Sequence, residues 1–178
     1  MTDLTKQTTC KFTYWNDKYV VEKCAKSGVQ RQLLENELYA LEILSGLNAP
    51  KLVHVDVSKQ TLTVQRDFVR GIPLSQVPAP LWPALLANLT KILRQVHAKG
   101  LIHGDLKPSN LIVDGTNITP IDWEHALPLG EKLNTQNFRA VSLGTSHPRL
   151  IWGRGTVTEN LDHYSIQQMS AHYETSKA

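Results

Sequence analysis

Within eight residues, His103-Gly104-Asp105-Leu106-Lys107-Pro108-Ser109-Asn110 carries a carboxylate, an amine and an amide. Twelve residues past Asn110 comes a second acidic run, Ile121-Asp122-Trp123-Glu124. A carboxylate such as Asp105 can orient a hydroxyl and take its proton. A lysine two residues on, Lys107, can hold negative charge as it develops on a transferring group. An amide oxygen and a carboxylate, Asn110 and Asp122, are hard oxygen ligands of the kind Mg²⁺ takes, with coordination positions left for phosphate oxygens and water. The chemistry of such a set is metal-assisted phosphoryl transfer. A lone Asp in a loop is most often a turn residue; the pattern H-x-D-x-K-P-x-N around it makes that reading a poor one.

The run matches the pattern H-R-D-L-x-x-x-N with one change, Gly104 for Arg, and resembles the catalytic loop of the protein kinase superfamily. Val20-Val21-Glu22-Lys23 looks like that superfamily's V-A-I-K strand, which makes Lys23 the candidate for gripping nucleotide phosphates. The resemblance implies a glutamate that pairs with Lys23 from the next helix; Glu35 and Glu37 are the candidates, and Glu37 is preferred because Leu41, Leu44 and Pro50 follow it as in aminoglycoside phosphotransferases. Asp67-Phe68-Val69-Arg70-Gly71 looks like the hinge, so an adenine would bond to backbone near Asp67 and Val69, with Arg66 beside its pocket. The implied cofactors are ATP and Mg²⁺. His103 reads as structural. Lys107 is typical of serine/threonine protein kinases, whereas His-Gly-Asp and Asp-Trp-Glu are common in aminoglycoside and choline phosphotransferases.

These groups need elements to position them. Residues 11–24 read as a hairpin turning at Asn16-Asp17. Leu34, Leu38, Leu41, Leu44 and Leu47 make one apolar stripe, predicting a helix over 29–47. Strands follow at 51–57 and 61–64. Pro73, Pro78, Pro80 and Pro83 mark a linker, and Leu85, Leu86, Leu89, Leu93 and Val96 predict a helix over about 82–99 that stops at Gly100. Residues 111–115 and 117–121 read as an antiparallel pair, and Asp162-His163-Tyr164-Ser165 as the start of a last helix. The expected fold is α+β and two-lobed, protein-kinase-like. It has a small antiparallel-sheet N-lobe over about 8–70 and a truncated helical C-lobe over about 71–170, in one domain of 1–178.

Three departures from the resemblance carry expectations. Gly104 has no side chain to pair with a phosphorylated activation loop, so regulation through that contact is not expected. Residues 1–22 contain no glycine, so the phosphate-covering lid is shortened or built without it. Gly144-Thr145-Ser146 resembles the acceptor-binding segment, with the Thr145 hydroxyl expected to reach Asp105 and Lys107. The early end of the resemblance is similar to minimal effector kinases of bacterial pathogens and to the small kinase-like subunit of the tRNA threonylcarbamoyladenosine machinery. It implies a protein partner, activating or scaffolding, or a homodimer.

A net charge of +3 spread along the chain gives no reason to expect nucleic acid as a partner, and no apolar run is long enough for a membrane span. Cys10 and Cys24 read as two reduced thiols of a cytoplasmic protein, or of one delivered into a host cytoplasm. The function expected first is a minimal serine/threonine protein kinase acting on a protein substrate. The alternatives are a small-molecule or glycan kinase and an ATP-binding pseudokinase scaffold.

Overall fold

The computed structural model describes residues 8–136 and 139–175. The lid is expected ahead of the hairpin, in about the first ten residues; residues 8–10 belong instead to the first strand, and 1–7 lie outside the described residues. The chain opens with a hairpin, β1 (Thr8–Trp15) and β2 (Lys18–Ala25), whose turn residues Asn16 and Asp17 both have positive φ, 45° and 62°. That conformation matches the right-handed twist of the strands, and Asn and Asp are the side chains that tolerate it. Helix α1 (Gly28–Ile43) follows, then β3 (Leu52–Val57) and β4 (Leu62–Asp67). The four strands form an antiparallel sheet of order β1-β2-β4-β3. Period-2 alternation turns Val21, Lys23 and Ala25 to its covered face.

Helix α1 ends four residues before the apolar stripe does. Leu44 caps it, Ser45 bonds back to Glu42 rather than one residue further, and Gly46 takes a φ of +83°. Leu47 still packs against the same cluster from outside the helix, so the stripe marks a packing face longer than the helix.

Beyond β4 the chain crosses through β5 (Ile72–Pro73) to α2 (Trp82–Ala98). Then come β6 (Leu101–Ile102), β7 (Leu111–Asp114), β8 (Asn117–Pro120), β9 (Leu127–Pro128), a short helix α3 (Pro148–Trp152) and α4 (Asn160–Thr175). Strands β5, β7 and β8 pair in that order, and β6 pairs with β9. Leu85, Leu89 and Leu93 of α2 pack with Leu106, Leu111, Ile118 and Met169 in one core. Fully burying each such leucine contributes about 1.5–3 kcal/mol. A second core joins the two halves: Ala40, Leu41 and Leu44 of α1 meet Val96, Leu101, Trp123 and Ala126. It fixes α1, and so Glu37, against the segment that carries Asp122. No described helix is long and apolar enough to cross a membrane.

Candidate active site

The loop after β6 is held by one buried carboxylate. Asp162, in the first turn of α4 and 1% exposed, accepts the backbone N–H groups of His103 at 2.9 Å and Gly104 at 3.0 Å, and His97 Nε2 of α2 at 2.9 Å. Gly104 itself has a φ of +77°, and a Cβ there would sit 2.3 Å from the carbonyl oxygen of His125. The loop therefore has no room for a side chain at 104. A glycine at 104 is a steric requirement of this packing.

His103 is fully buried, and its Nε2–H donates to the Ile121 carbonyl at 3.0 Å while its Nδ1 accepts the Asp105 N–H at 3.3 Å. A carbonyl accepts only, so the proton sits on Nε2. Burial holds the imidazole below its ordinary value and keeps it neutral, despite the pull of Asp162 and the Ile121 carbonyl. Its ring lies 4.5 Å from that of Trp123. His103 thus ties the Asp105 loop to the Asp122 segment.

Asp105 is 4% exposed. Its Oδ2 accepts Lys107 Nζ at 2.6 Å and Asn110 Nδ2 at 3.2 Å, and its Oδ1 accepts the Ser142 hydroxyl at 2.6 Å. Lys107 Nζ also reaches Ser142 Oγ at 3.3 Å. Ser142, not Thr145, therefore occupies the place expected for the activation-segment hydroxyl. The reason is a tight turn: Ser142 N–H donates to Ser146 Oγ, and Thr145 and Ser146 N–H return to the Ser142 carbonyl. This turns Thr145 toward α4, where its carbonyl accepts from Ser165 Oγ at 2.8 Å.

Lys23 Nζ bonds Glu37 at 2.6 Å and Asp122 at 2.5 Å and lies 3.7 Å from Glu124. Glu37 is wholly buried, whereas Glu35 sits at the surface with Arg31 at 2.9 Å. The structure thus brings Glu37 to Lys23. Arg66 is drawn to the same carboxylate. Its Nε lies 3.3 Å from Glu37 Oε1, an ion pair by distance whose angles do not make a hydrogen bond. The residue expected beside an adenine thus also balances charge on Glu37. Burial alone would lower the Lys23 ammonium; Glu37, Asp122 and Glu124 outweigh it and raise it well above the ordinary lysine value. Burial likewise works to raise Asp122, and Lys23 overrides it, holding that carboxyl below the usual range. Glu124 goes the other way: burial, then repulsion from Asp122, raises it.

Asp122 takes the left-handed conformation, φ +68°, and Ile121 N–H bonds the Asn110 carbonyl at 2.9 Å, so the two expected metal ligands lie on adjoining strand ends. Asn110 spends its Nδ2 on Asp105, on the carbonyl at 3.1 Å and the side chain at 3.2 Å. Among the described residues its Oδ1 meets only the Ser109 hydroxyl, at 3.4 Å, so the donor set fits a hard cation. Asp67 ends β4, and Val69 lies in the crossing to β5, where a hinge belongs.

Three further residues contribute that spacing did not reveal. Asn36 Nδ2 bridges the Glu124 and Ala126 carbonyls at 2.9 Å each, clamping the Asp-Trp-Glu segment to α1. Asp162 is the anchor described above; the sequence showed it only as a helix start. Phe12 pairs with Val21 and so shares its face; it is 71% exposed and meets Phe68 edge-on at 5.6 Å, an aromatic wall over the cleft.

The model of the phosphotransferase enzyme family described as APH matches residues 55–128, a span that contains both the Asp105 loop and Asp122. Serine/threonine-protein kinase D of Synechocystis is 29% identical over 97 residues, 51% of this chain and 19% of that protein. An EKC/KEOPS complex subunit of Schizosaccharomyces pombe is 22% identical over 171 residues, 92% of this chain and 69% of that one. In structure the chain is similar to the kinase PK-1 of Cydia pomonella granulovirus, with a TM-score of 0.74 and 15% identity, covering 90% of this chain and 64% of the viral one. The chain thus spans less than a fifth of the first curated kinase it matches. The family match, the kinase relatives and the likeness in fold together support a protein kinase-like superfamily for the chain.

Proposed function

We propose that the chain transfers the γ-phosphoryl group of ATP, bound with Mg²⁺, to a serine or threonine hydroxyl of a protein. The observation that carries this reading is Ser142 Oγ, seated between Asp105 Oδ1 at 2.6 Å and Lys107 Nζ at 3.3 Å. A peptide hydroxyl already fits the geometry that orients an acceptor. Asp105 takes the acceptor's proton as the new O–P bond forms and the bond to ADP breaks, and Lys107 offsets charge on the moving group. Asn110 and Asp122 would hold the cation, which when bound neutralises phosphate charge. Lys23, aimed by Glu37, grips the phosphates, and backbone at Asp67 and Val69 meets the adenine.

A second reading is favoured by the near-complete span of the fission-yeast match: an ATP-hydrolysing subunit of a larger assembly. One experiment separates the two. The protein is incubated with γ-labelled ATP and Mg²⁺, alone and with a generic basic protein, beside Asp105→Ala. Labelled protein that disappears in the variant supports protein phosphorylation. ADP release that disappears in the variant, without labelled protein, supports the second reading. Neither product at any protein concentration refutes both.

A further inference from the structure

At the back of the catalytic loop, two histidines and a glutamate converge on a point the phosphotransfer site does not use. His97 lies in the last turn of α2 and His163 in the first turn of α4, with Glu159 just before it. Their ligand atoms all lie within 4.8 Å of one another. We propose that His97 Nδ1, the Glu159 carboxylate and the His163 imidazole bind one divalent transition-metal ion of the Zn²⁺ class.

The first argument is the state of His97. Its Nε2 meets the Asp162 carboxylate at 2.9 Å, and a carboxylate only accepts, so Nε2 carries the proton and Nδ1 presents a lone pair. That Nδ1 is buried with no hydrogen-bond partner, on a side chain 1% exposed. It faces Glu159 Oε2 at 3.8 Å. A buried lone pair facing a solvent-reaching carboxylate calls for a cation between them.

The second argument is spacing. The His163 N–H bonds the Glu159 carbonyl at 3.2 Å, so the two residues stand one helical turn apart on one stripe. The rings of His97 and His163 stand 5.5 Å apart, nearly perpendicular at 84°. Tetrahedral zinc with bonds of 2.0–2.2 Å needs donors roughly 3.3–3.6 Å apart. Glu159 is 56% exposed and His163 half-buried, so the two mobile ligands can close the remaining distance onto the fixed one.

The third argument is what stands behind the site. A carboxylate bonded to the far nitrogen of a metal-binding histidine fixes its tautomer and raises its basicity. Here that carboxylate is Asp162, which also holds the backbone of His103 and Gly104. A metal on Nδ1 polarises the imidazole, strengthens its bond to Asp162, and so stiffens the support of the Asp105 loop. The other cluster, Glu37, Asp122 and Glu124, by contrast already has the Lys23 ammonium seated on two of its members and belongs to the phosphotransfer site.

The test uses tag-free full-length protein stripped with chelator. Zn²⁺ is titrated in competition with a chromophoric chelator, and Co²⁺ binding is followed by its visible spectrum. We expect one equivalent bound at micromolar or lower concentration, unaffected by millimolar Mg²⁺. Glu159→Gln and His163→Ala, both at accessible positions, each weaken binding at least tenfold. A saturating excess of Zn²⁺ raises the Tm of the wild type by about 5 °C and leaves that of His163→Ala unchanged. Absence of stoichiometric binding up to about 100 µM, or binding that survives both substitutions, overturns the proposal. So does a wild-type Tm that ignores Zn²⁺ but rises on acidification in step with His163→Ala, which would put a proton on Nδ1 instead.

Discussion

Replacing Gly104 by alanine separates the steric reading of this position from the regulatory one. The new Cβ would lie 2.3 Å from the His125 carbonyl oxygen, against a closest tolerable approach of about 3.0 Å, so a backbone must shift by at least 0.7 Å. Neither side can yield easily. On one side Asp162 holds the N–H of Gly104 at 3.0 Å. On the other, Asn36 holds the Glu124 and Ala126 carbonyls that flank His125, and Trp123 is fully buried beside them. Left-handed strain costs about 1–2 kcal/mol and overpacking about 1–3 kcal/mol, so the sum is roughly 2–5 kcal/mol. For a chain of this length that is a Tm loss of about 5–15 °C. Gly115→Ala is the control: its φ is +59°, but nothing lies within 4 Å of the added carbon, so only strain remains. Tm values from thermal unfolding, and initial rates of label transfer, should put Gly104→Ala well below Gly115→Ala in both. A Gly104→Ala protein within 2 °C of the control would show that the contact at His125 is relieved at no cost, and the argument would fail. Gly104→Arg, which restores the residue usual in protein kinases, is expected to be worse still.

Other expectations follow from the same contacts. Lys23→Met leaves Glu37 buried with Arg66 as its remaining partner, so it should abolish nucleotide-dependent activity and lower stability. In a double-mutant cycle with Glu37→Gln the coupling should be on the order of 2 kcal/mol, and additivity would refute the pairing. Because burial depresses His103, the unfolded chain takes up a proton before the folded one does. Stability therefore rises with pH through the window below the ordinary histidine value of 6.5, by up to about 1.4 kcal/mol per unit for this one proton. Tm against pH should be flatter in His103→Gln than in the wild type. Phe12→Ala removes the exposed aromatic wall opposite Val21. It should raise the Kd for adenine nucleotides severalfold, measured by fluorescent-nucleotide displacement, while leaving Tm within about 2 °C.

Much of the site was legible because its parts lie close together in sequence. Asp105, Lys107 and Asn110 span six positions, and their contacts follow from one loop. Lys23 could be read from the likeness of its strand to V-A-I-K, and Glu37 from the Leu41, Leu44 and Pro50 that follow it. What spacing could not show are contacts made by packing across the chain. Asn36 reaches a partner 88 residues away, Ser142 one 37 away, and His97 one 65 away. Thr145 was expected at the Asp105 loop by alignment of Gly144-Thr145. A tight turn sealed by Ser146 advances Ser142 into that place instead. Arg66 also reaches Glu37, a contact that strand register alone does not reveal.

Glu124 and its neighbour Asp122 are shifted in opposite directions, so two adjacent substitutions test them against each other. In metal-free protein Asp122 is held below its ordinary value by Lys23. Its ionised form therefore stabilises the fold above about pH 3.8, and that stability is lost as pH falls through the lower folded value. Glu124 is raised, so the fold binds its proton more readily than the unfolded chain does. Its contribution is present below about pH 4.5 and is lost as pH rises through the raised value. At pH 7 in chelator, Asp122→Asn should lower Tm and Glu124→Gln should raise it, the gain shrinking as pH falls toward 4.5. A carboxylate that destabilises the empty fold at working pH, with an oxygen within 4.8 Å of those of Asp122 and Glu37, is suited to meeting a cation. Glu124→Gln should accordingly raise the Mg²⁺ concentration needed for half-maximal nucleotide binding even as it raises Tm. A variant that lost stability at pH 7, or kept its Mg²⁺ requirement unchanged, would show that Glu124 serves only the packing of its own turn.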